Sequence, residues 1–462
     1  MIRYLFIITG ISWLLLLAGC KEKSPEQQAV ARVGNEEIRF ADFLYDFTVF
    51  PQYRGTLTLR EARLQHLNQM ADRALLYLAA EEDGLENTPE IQSRLRYIEH
   101  KEVLKRLYQK EVLDKIPVSE EEAWEEYKRS SIRVKLRHLF APSREEAEIY
   151  YRRLQSGESF EKLARETFLD SALANSGGDL GFVSISDLDP FLADSVYNLR
   201  IGQISHPLKS SFGYHIMRVE DVQQSVFLSR EYFTEHKEDF TNTLKTRRAR
   251  VKSAEYLAEK LKGKSVTIKT AVLRELLDFS KGYINLRRQE TPLPAPRVTD
   301  LELENITGNA GELLDRALVE FNGERWRVGE FLHKLQEMPP LHRPSISTES
   351  ALARHLIDMV RDELLLREAY RQGVQNDREL RETLGRWRKQ LLADEFKKRI
   401  YWVDYQQEDP EKWQARKTLY QDLKNRTLVS IDTTLLFHDV TGTQLQQKIP
   451  ALPAVIREYY VW

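Results

Sequence analysis

The 462 residues are about three times a typical domain, so two to four domains are expected. Hydrophobic residues at 42% and charged residues at 30% describe a helix-rich globular chain with material for a core. The 69 basic and 71 acidic residues nearly cancel, which leaves no basic stripe and excludes nucleic acid as a partner.

The first residues differ in texture from all that follow. Arg3 precedes an apolar run from Tyr4 to Leu17, then come Ala18-Gly19-Cys20 and the polar Lys21-Glu22-Lys23. A positive start, an apolar stretch of this length and small residues before the break make a secretory signal, too short for a membrane span. Leu17-Ala18-Gly19-Cys20 resembles the bacterial lipobox. The resemblance implies a lipoprotein signal peptide over 1–20, with lipidated Cys20 leading the mature chain. Cys20 is the one cysteine in the sequence, so the folded part has no disulfide or thiol chemistry. Residues 21–30 read as a tether, and several acyl chains would hold the protein on a bilayer stably. Lys21 stands where aspartate accompanies inner-membrane retention in enteric bacteria. The expected location is therefore the outer membrane, facing the periplasm, with the outer face of a cytoplasmic membrane as the alternative.

Residues 31–130 read as a helical module. Val33-Gly34-Asn35-Glu36 is a hairpin turn leading into a helix from Phe40. Leu64, Leu67, Met70, Ala71, Ala74, Leu75 and Leu78 recur at three- and four-residue steps and give one apolar stripe. Thr88-Pro89 is a cap and first-turn pair for a long charged helix, 89–114. Ser119 and Glu122 have the capping-box spacing for another.

Residues 131–222 change character. Arg133 to Phe140 alternates as a strand, Ser143 and Glu146 cap a helix striped by Ala147, Tyr150, Tyr151 and Leu154, and Phe160 to Phe168 marks a second helix. Then follow Gly177-Gly178-Asp179-Leu180-Gly181, Pro190-Phe191, Gly202-Gln203-Ile204-Ser205-His206-Pro207 and Phe212-Gly213-Tyr214-His215.

The helical pattern resumes at 223–288, crosses a Pro-rich linker at 289–310 and continues at 311–462. This last part repeats the first. Phe321-Asn322-Gly323-Glu324 overlays Val33-Gly34-Asn35-Glu36, and Gly373-Val374-Gln375-Asn376 overlays Gly84-Leu85-Glu86-Asn87. Near the end, the segment before Val429-Ser430-Ile431 resembles the one before Val266-Thr267-Ile268. The spacing between copies shrinks by somewhat more than a hundred residues, so the second copy lacks the 131–222 segment. The apolar, aromatic tail from Ala454 to Trp462 reads as a last strand.

The ordered motifs of 131–222 resemble the parvulin family of prolyl isomerases, in its bacterial PpiC-type form. The resemblance covers about 90 residues, a whole domain. It implies a four-stranded antiparallel sheet surrounded by helices. The fold class expected is α+β and multidomain: two related, mostly helical chaperone-like modules, with the parvulin-like domain inserted in the first. It also implies a catalytic group of His138, Asp170, His215 and Ser210. The two histidines face each other, Asp170 gives a polar edge near the substrate carbonyl, and Ser210 holds the small-hydroxyl position. Leu180, Leu188, Phe191 and Phe212 would line the proline pocket. Two departures accompany the match: Phe168-Leu169-Asp170 replaces the usual Tyr-Ser-Asp, and Ser171-Ala172 replaces Pro-Gly. The connection Ala141-Pro142-Ser143-Arg144 is short and carries one base, against phosphate-directed specificity.

Rotation about a peptide bond is opposed by a barrier of about 18–20 kcal/mol from amide resonance, and X–Pro bonds alone have a usable cis population. Lowering that barrier means gripping the ring and stabilising the twisted amide, which needs no metal and no cofactor. A parvulin domain framed by helical segments resembles the SurA and PrsA group of extracytoplasmic foldases. The partners implied are unfolded or proline-containing client polypeptides, the membrane through the anchor, and outer-membrane assembly machinery. The alternative is a non-catalytic lipid-anchored holdase, or a structural subunit of a membrane-protein assembly complex, with a vestigial parvulin domain.

Overall fold

In a computed structural model of the chain, residues 28–49, 57–225, 227–284, 297–344, 346, 348–401 and 410–437 are described. The signal segment with Cys20, residues 285–296 of the linker region and the aromatic tail lie outside them.

The described chain opens on a hairpin, β1 (Ala29–Val33) and β2 (Glu36–Arg39), followed by α1 (Phe40–Val49), α2 (Leu59–Glu82) and α3 (Pro89–Glu111). After α4 (Glu120–Ser130) come β3 (Ile132–Ala141), α5 (Arg144–Gln155), α6 (Phe160–Thr167), α7 (Ser171–Ser176), β4 (Asp179–Ser184), α8 (Pro190–Tyr197), β5 (Leu208–Lys209) and β6 (Tyr214–Gln224). The long α9 (Arg230–Lys260) leads to β7 (Val266–Ile268), α10 (Thr270–Lys281) and α11 (Asp300–Asn309). A second hairpin, β8 (Ala317–Phe321) and β9 (Glu324–Arg327), precedes α12 (Val328–Glu337), α13 (Glu349–Arg371) and α14 (Arg378–Tyr401). The last described elements are α15 (Pro410–Arg426), β10 (Val429–Ile431) and α16 (Thr433–Leu436).

Local chemistry sets these boundaries. Ser119 and Glu122 close a reciprocal capping box on α4, as their spacing predicts, and Ser143 accepts from the Glu146 amide to start α5. Thr58 and Glu61 make a further box on α2. At the second hairpin Asn322 and Gly323 both take positive φ, 49° and 82°, the pairing a tight type I′ turn requires.

The described residues divide into two compact units, those up to Ile91 with those from Arg386 onward, and those from Gln92 to Gly385. In the first unit the sheet order is β10-β1-β2, all antiparallel, with Ala31 opposite Ile431. Val30, Val33, Phe40, Phe43 and Leu67 fill its interior. Arg388 of α14 binds Tyr77, Glu81 and Glu86, tying α14 to α2 and the turn after it.

The second unit holds two sheets. One, β7-β8-β9, is three-stranded and backed by a core that includes Leu273, Leu276, Phe331 and Leu356. The other is four-stranded and antiparallel in the order β4-β3-β6-β5, with helices packed around it. In chain order that sheet falls between α4 and α9, two helices that pack together and are joined by a buried bidentate pair, Arg247 with Glu126 at 2.7 and 2.5 Å. Asp194 on α8 reaches both helices, at 2.8 Å from Arg129 and 3.8 Å from Arg247.

The four-stranded sheet agrees with the α+β expectation, and the rest of the described chain is mostly helical. The third strand of each small sheet joins segments that the sequence analysis kept in separate modules. Residues 223–288 were expected to complete the first helical module, yet β7 pairs with β8, while β10 pairs with β1. Each strand is three residues long, too short for periodicity to choose its partner.

Candidate active site

The site is built on the two central strands of the four-stranded sheet. Pairing of β3 with β6 sets His138 opposite Met217 and Phe140 opposite His215, which makes the two histidines diagonal neighbours on one face. Their ring centroids are 5.9 Å apart and 25° from parallel.

His138 is held from the strand beside it. Its amide donates to the Gly178 carbonyl at 2.8 Å, and its Nδ1 lies 3.3 Å from the same oxygen. A carbonyl only accepts, so Nδ1 carries the proton and Nε2 is left as the acceptor. This contact explains the glycine: at φ +76° a Cβ on residue 178 would fall 2.0 Å from the His138 carbonyl oxygen. The Phe168 ring covers His138 at 4.9 Å, and Phe140 meets His215 edge-on at 5.3 Å.

Burial pushes the His138 imidazole below its ordinary range, against the opposing pull of its bond to Gly178. The His215 ring is pushed down to about 4, by burial first and by His138 second, with Asp189 opposing. Both rings are therefore neutral at pH 7, suited to exchanging hydrogen bonds and not to fixing charge.

Ser210 follows β5, and its hydroxyl lies 2.8 Å from His215 Nε2. The same oxygen accepts from the Phe212 amide at 3.0 Å, and Ser210 N donates to Gly213 O at 2.8 Å. These bonds make a tight turn between β5 and β6, with Phe212 at its tip and 80% exposed. Phe191 sits in the first turn of α8, half-buried, where Pro190 at N1 starts the helix. Leu180 on β4 is exposed.

Leu188 and Asp170 have other engagements. Leu188 packs against the cluster of Val134, Leu136, Leu192 and Met217. Asp170 is exposed and caps α7, its carboxylate accepting from Leu173 N at 2.9 Å. Sequence reasoning overlooked Phe168 and Phe140, the rings that enclose the histidines, and Asp189. The Asp-Pro pair opening α8 was the available signal for Asp189.

Chemically, the arrangement is a pair of neutral imidazoles packed against the Phe168 and Phe140 rings, each with a hydrogen-bond partner in Gly178 or Ser210. It presents no carboxylate–imidazole pair of the kind that activates a nucleophile. Among the described residues no cluster of His, Cys, Asp or Glu is disposed to hold a metal ion.

Residues 140–221 match the family model described as Rotamase, the PPIC-type PPIASE domain. The chain is 27% identical over 248 residues to the foldase protein PrsA of Geobacillus sp. (strain WCH70), covering 54% of this chain and 83% of that one. It is 26% identical over 222 residues to a probable parvulin-type peptidyl-prolyl cis-trans isomerase of Bordetella bronchiseptica, covering 46% and 85%. Among solved structures it is similar to one of two SurA-like chaperones of Campylobacter jejuni, at 23% identity and a TM-score of 0.23, covering 52% of this chain and all of that one. Residues 140–221, which hold most of the four-stranded sheet, are therefore a parvulin domain of the PpiC type, carried in a chain similar to the foldase protein PrsA.

Proposed function

We propose that this chain is a peptidyl-prolyl cis-trans isomerase and a chaperone for unfolded polypeptides outside the cytoplasm. The observation that carries the isomerase reading is the stacked pair His138 and His215, 5.9 Å apart and packed against Phe168 and Phe140. Prolyl bonds interconvert unaided in roughly tens to hundreds of seconds. Each 1.4 kcal/mol of preference for the twisted amide is about tenfold in rate, so a modest cup is useful. His138, His215 and Ser210 form the hydrogen-bonded floor, while Leu180, Phe191 and Phe212 grip the ring from the rim. Leu188 supports that rim from beneath. Asp170 gives the site a polar edge while capping α7.

The chaperone reading rests on the helical remainder. The order hairpin, helix, helix, helix occurs over 29–111 and again over 317–401, with α1 and α12 each ten residues long. We take these as two copies of one module. The third strand of each small sheet comes from the other copy, β7 for the second hairpin and β10 for the first. The parvulin domain is an insertion in the first copy alone. Lipidation at Cys20, the outer membrane and docking to assembly machinery belong to this proposal through the N-terminal motif. Among the described residues no helix is long and apolar enough to cross a membrane.

A second reading, a holdase with a vestigial parvulin domain, draws support from the commitment of Asp170 to its helix cap. Exchange spectroscopy on an unphosphorylated Ala-Pro or Phe-Pro peptide separates the two. The chain should accelerate cis/trans exchange, and Phe191→Ala should reduce kcat/KM by roughly tenfold or more, the equivalent of losing about 1.4 kcal/mol of ring contact. Identical exchange with and without protein would leave the holdase reading.

A further inference from the structure

The two walls of the proline cup stand on different elements, and one side chain joins them. Asp189 is the N-cap of α8, and its Oδ1 accepts from the Phe191 amide at 2.9 Å. Its Oδ2 accepts from the Ser211 amide, 22 residues later in the β5–β6 turn, at 3.3 Å. Phe191 forms one wall, and Phe212 follows Ser211 at the tip of the other.

We propose that Asp189 is a positioning residue of the isomerase site: its carboxylate spans the mouth of the cup and sets the separation of Phe191 from Phe212. The inference rests on reading this cup as the proline site.

The chemistry favours a carboxylate here. Two N–H donors from separate elements converge on one side chain, and an ionised carboxylate offers an acceptor to each. The turn's own bonds, Ser210 N to Gly213 O and Phe212 N to the Ser210 hydroxyl, fix its shape but run no further than the turn. Ser210 ties the turn to His215 on β6. Ser211 ties it to α8. Phe212 is 80% exposed and takes no support from a core, so the stability of its position depends on the backbone that carries it. The charge of the same carboxylate opposes the downward push that burial and His138 exert on the His215 ring. Asp189 thus touches the floor electrostatically and both walls by hydrogen bonds.

Asp189→Asn in the full chain is the informative change. Asparagine caps helices as well as aspartate does, so its Oδ1 keeps the bond to Phe191 N and α8 stays intact. Its Nδ2 then meets the Ser211 N–H, donor against donor. The expected result is an unchanged melting temperature, a KM for the X–Pro peptide raised roughly tenfold with kcat much less affected, and faster hydrogen exchange at the Ser211 amide. Wild-type KM in the variant, or a loss confined to kcat, overturns the proposal. Should the wild-type chain itself fail to catalyse exchange, the isomerase reading falls. The joining of the two walls is then decided by the Ser211 amide, and equal protection in variant and wild type refutes it.

Discussion

The parvulin sheet and the two three-stranded sheets assemble from the chain in opposite ways. All four strands of the first lie between Ile132 and Gln224, and its central pair, β3 with β6, pairs ten residues of β3 with one register shift between Lys135 and Leu136. Each small sheet takes a hairpin from one stretch and a three-residue strand from another, with Ala31 opposite Ile431 and Ile268 opposite Val319. A segment whose contacts close on themselves pays its loop-closure entropy once and folds as a unit. A sheet completed from the far end of the chain stays unfinished until that end arrives. The parvulin domain should therefore survive changes that undo the framework around it.

Ending the chain after Tyr401 tests this contrast most severely. It removes α15, β10 and α16, and with them the buried Tyr420, Leu423 and Leu436. The β1–β2 hairpin would become a two-stranded ribbon, which is marginal in water. Residues 28–91 should lose protease resistance and amide protection. Amide resonances of Ile132–Gln224 and exchange activity on an X–Pro peptide should persist. Loss of both regions together would show that the parvulin domain is not self-contained.

The same contrast explains what the sequence allowed to be read. The parvulin domain was legible because its markers are local and ordered. Gly178 is required by contact with the His138 carbonyl, Pro190 by the start of α8, and the tight turn before His215 by Ser210 and Gly213. The helices were legible through stripes and caps such as Ser119 with Glu122. The partners of β7 and β10 were not, because Val266-Thr267-Ile268 and Val429-Ser430-Ile431 are near copies and carry no mark of which hairpin each joins. Nor was the helix-capping bond of Asp170, since a carboxylate beside a family motif reads as chemistry before it reads as a cap.

A smaller effect is expected where the domain meets the framework. Glu126 on α4 is 2% exposed and holds Arg247 of α9 through two bonds. Glu126→Ala leaves the guanidinium buried, with Asp194 at 3.8 Å as its remaining described carboxylate. The cost should be about 3–5 kcal/mol in unfolding free energy, read from urea denaturation followed by Trp124 fluorescence. If the parvulin domain is self-contained, kcat/KM for the peptide should stay near the wild-type value below the unfolding transition. A parallel fall in activity would mean that the α4–α9 pair shapes the site as well.

The smallest effect separates the site's histidines from an ordinary exposed imidazole. The His215 ring titrates near 4 in the folded domain, against about 6.5 when unfolded, so between those values the unfolded chain binds more protons. The stabilising contribution of a neutral, buried His215 is therefore complete above pH 6.5 and is lost as pH falls toward 4. His138 shifts in the same direction. Catalysis should stay level from pH 8 to 6, because the His215 ring does not change charge there, while the melting temperature of the parvulin domain declines below pH 6. Ring-proton NMR gives the direct check. A midpoint for His215 near 6.5 would mean that the ring is hydrated, and an open, wet floor cannot give a twisting amide the dry setting in which its hydrogen bonds count.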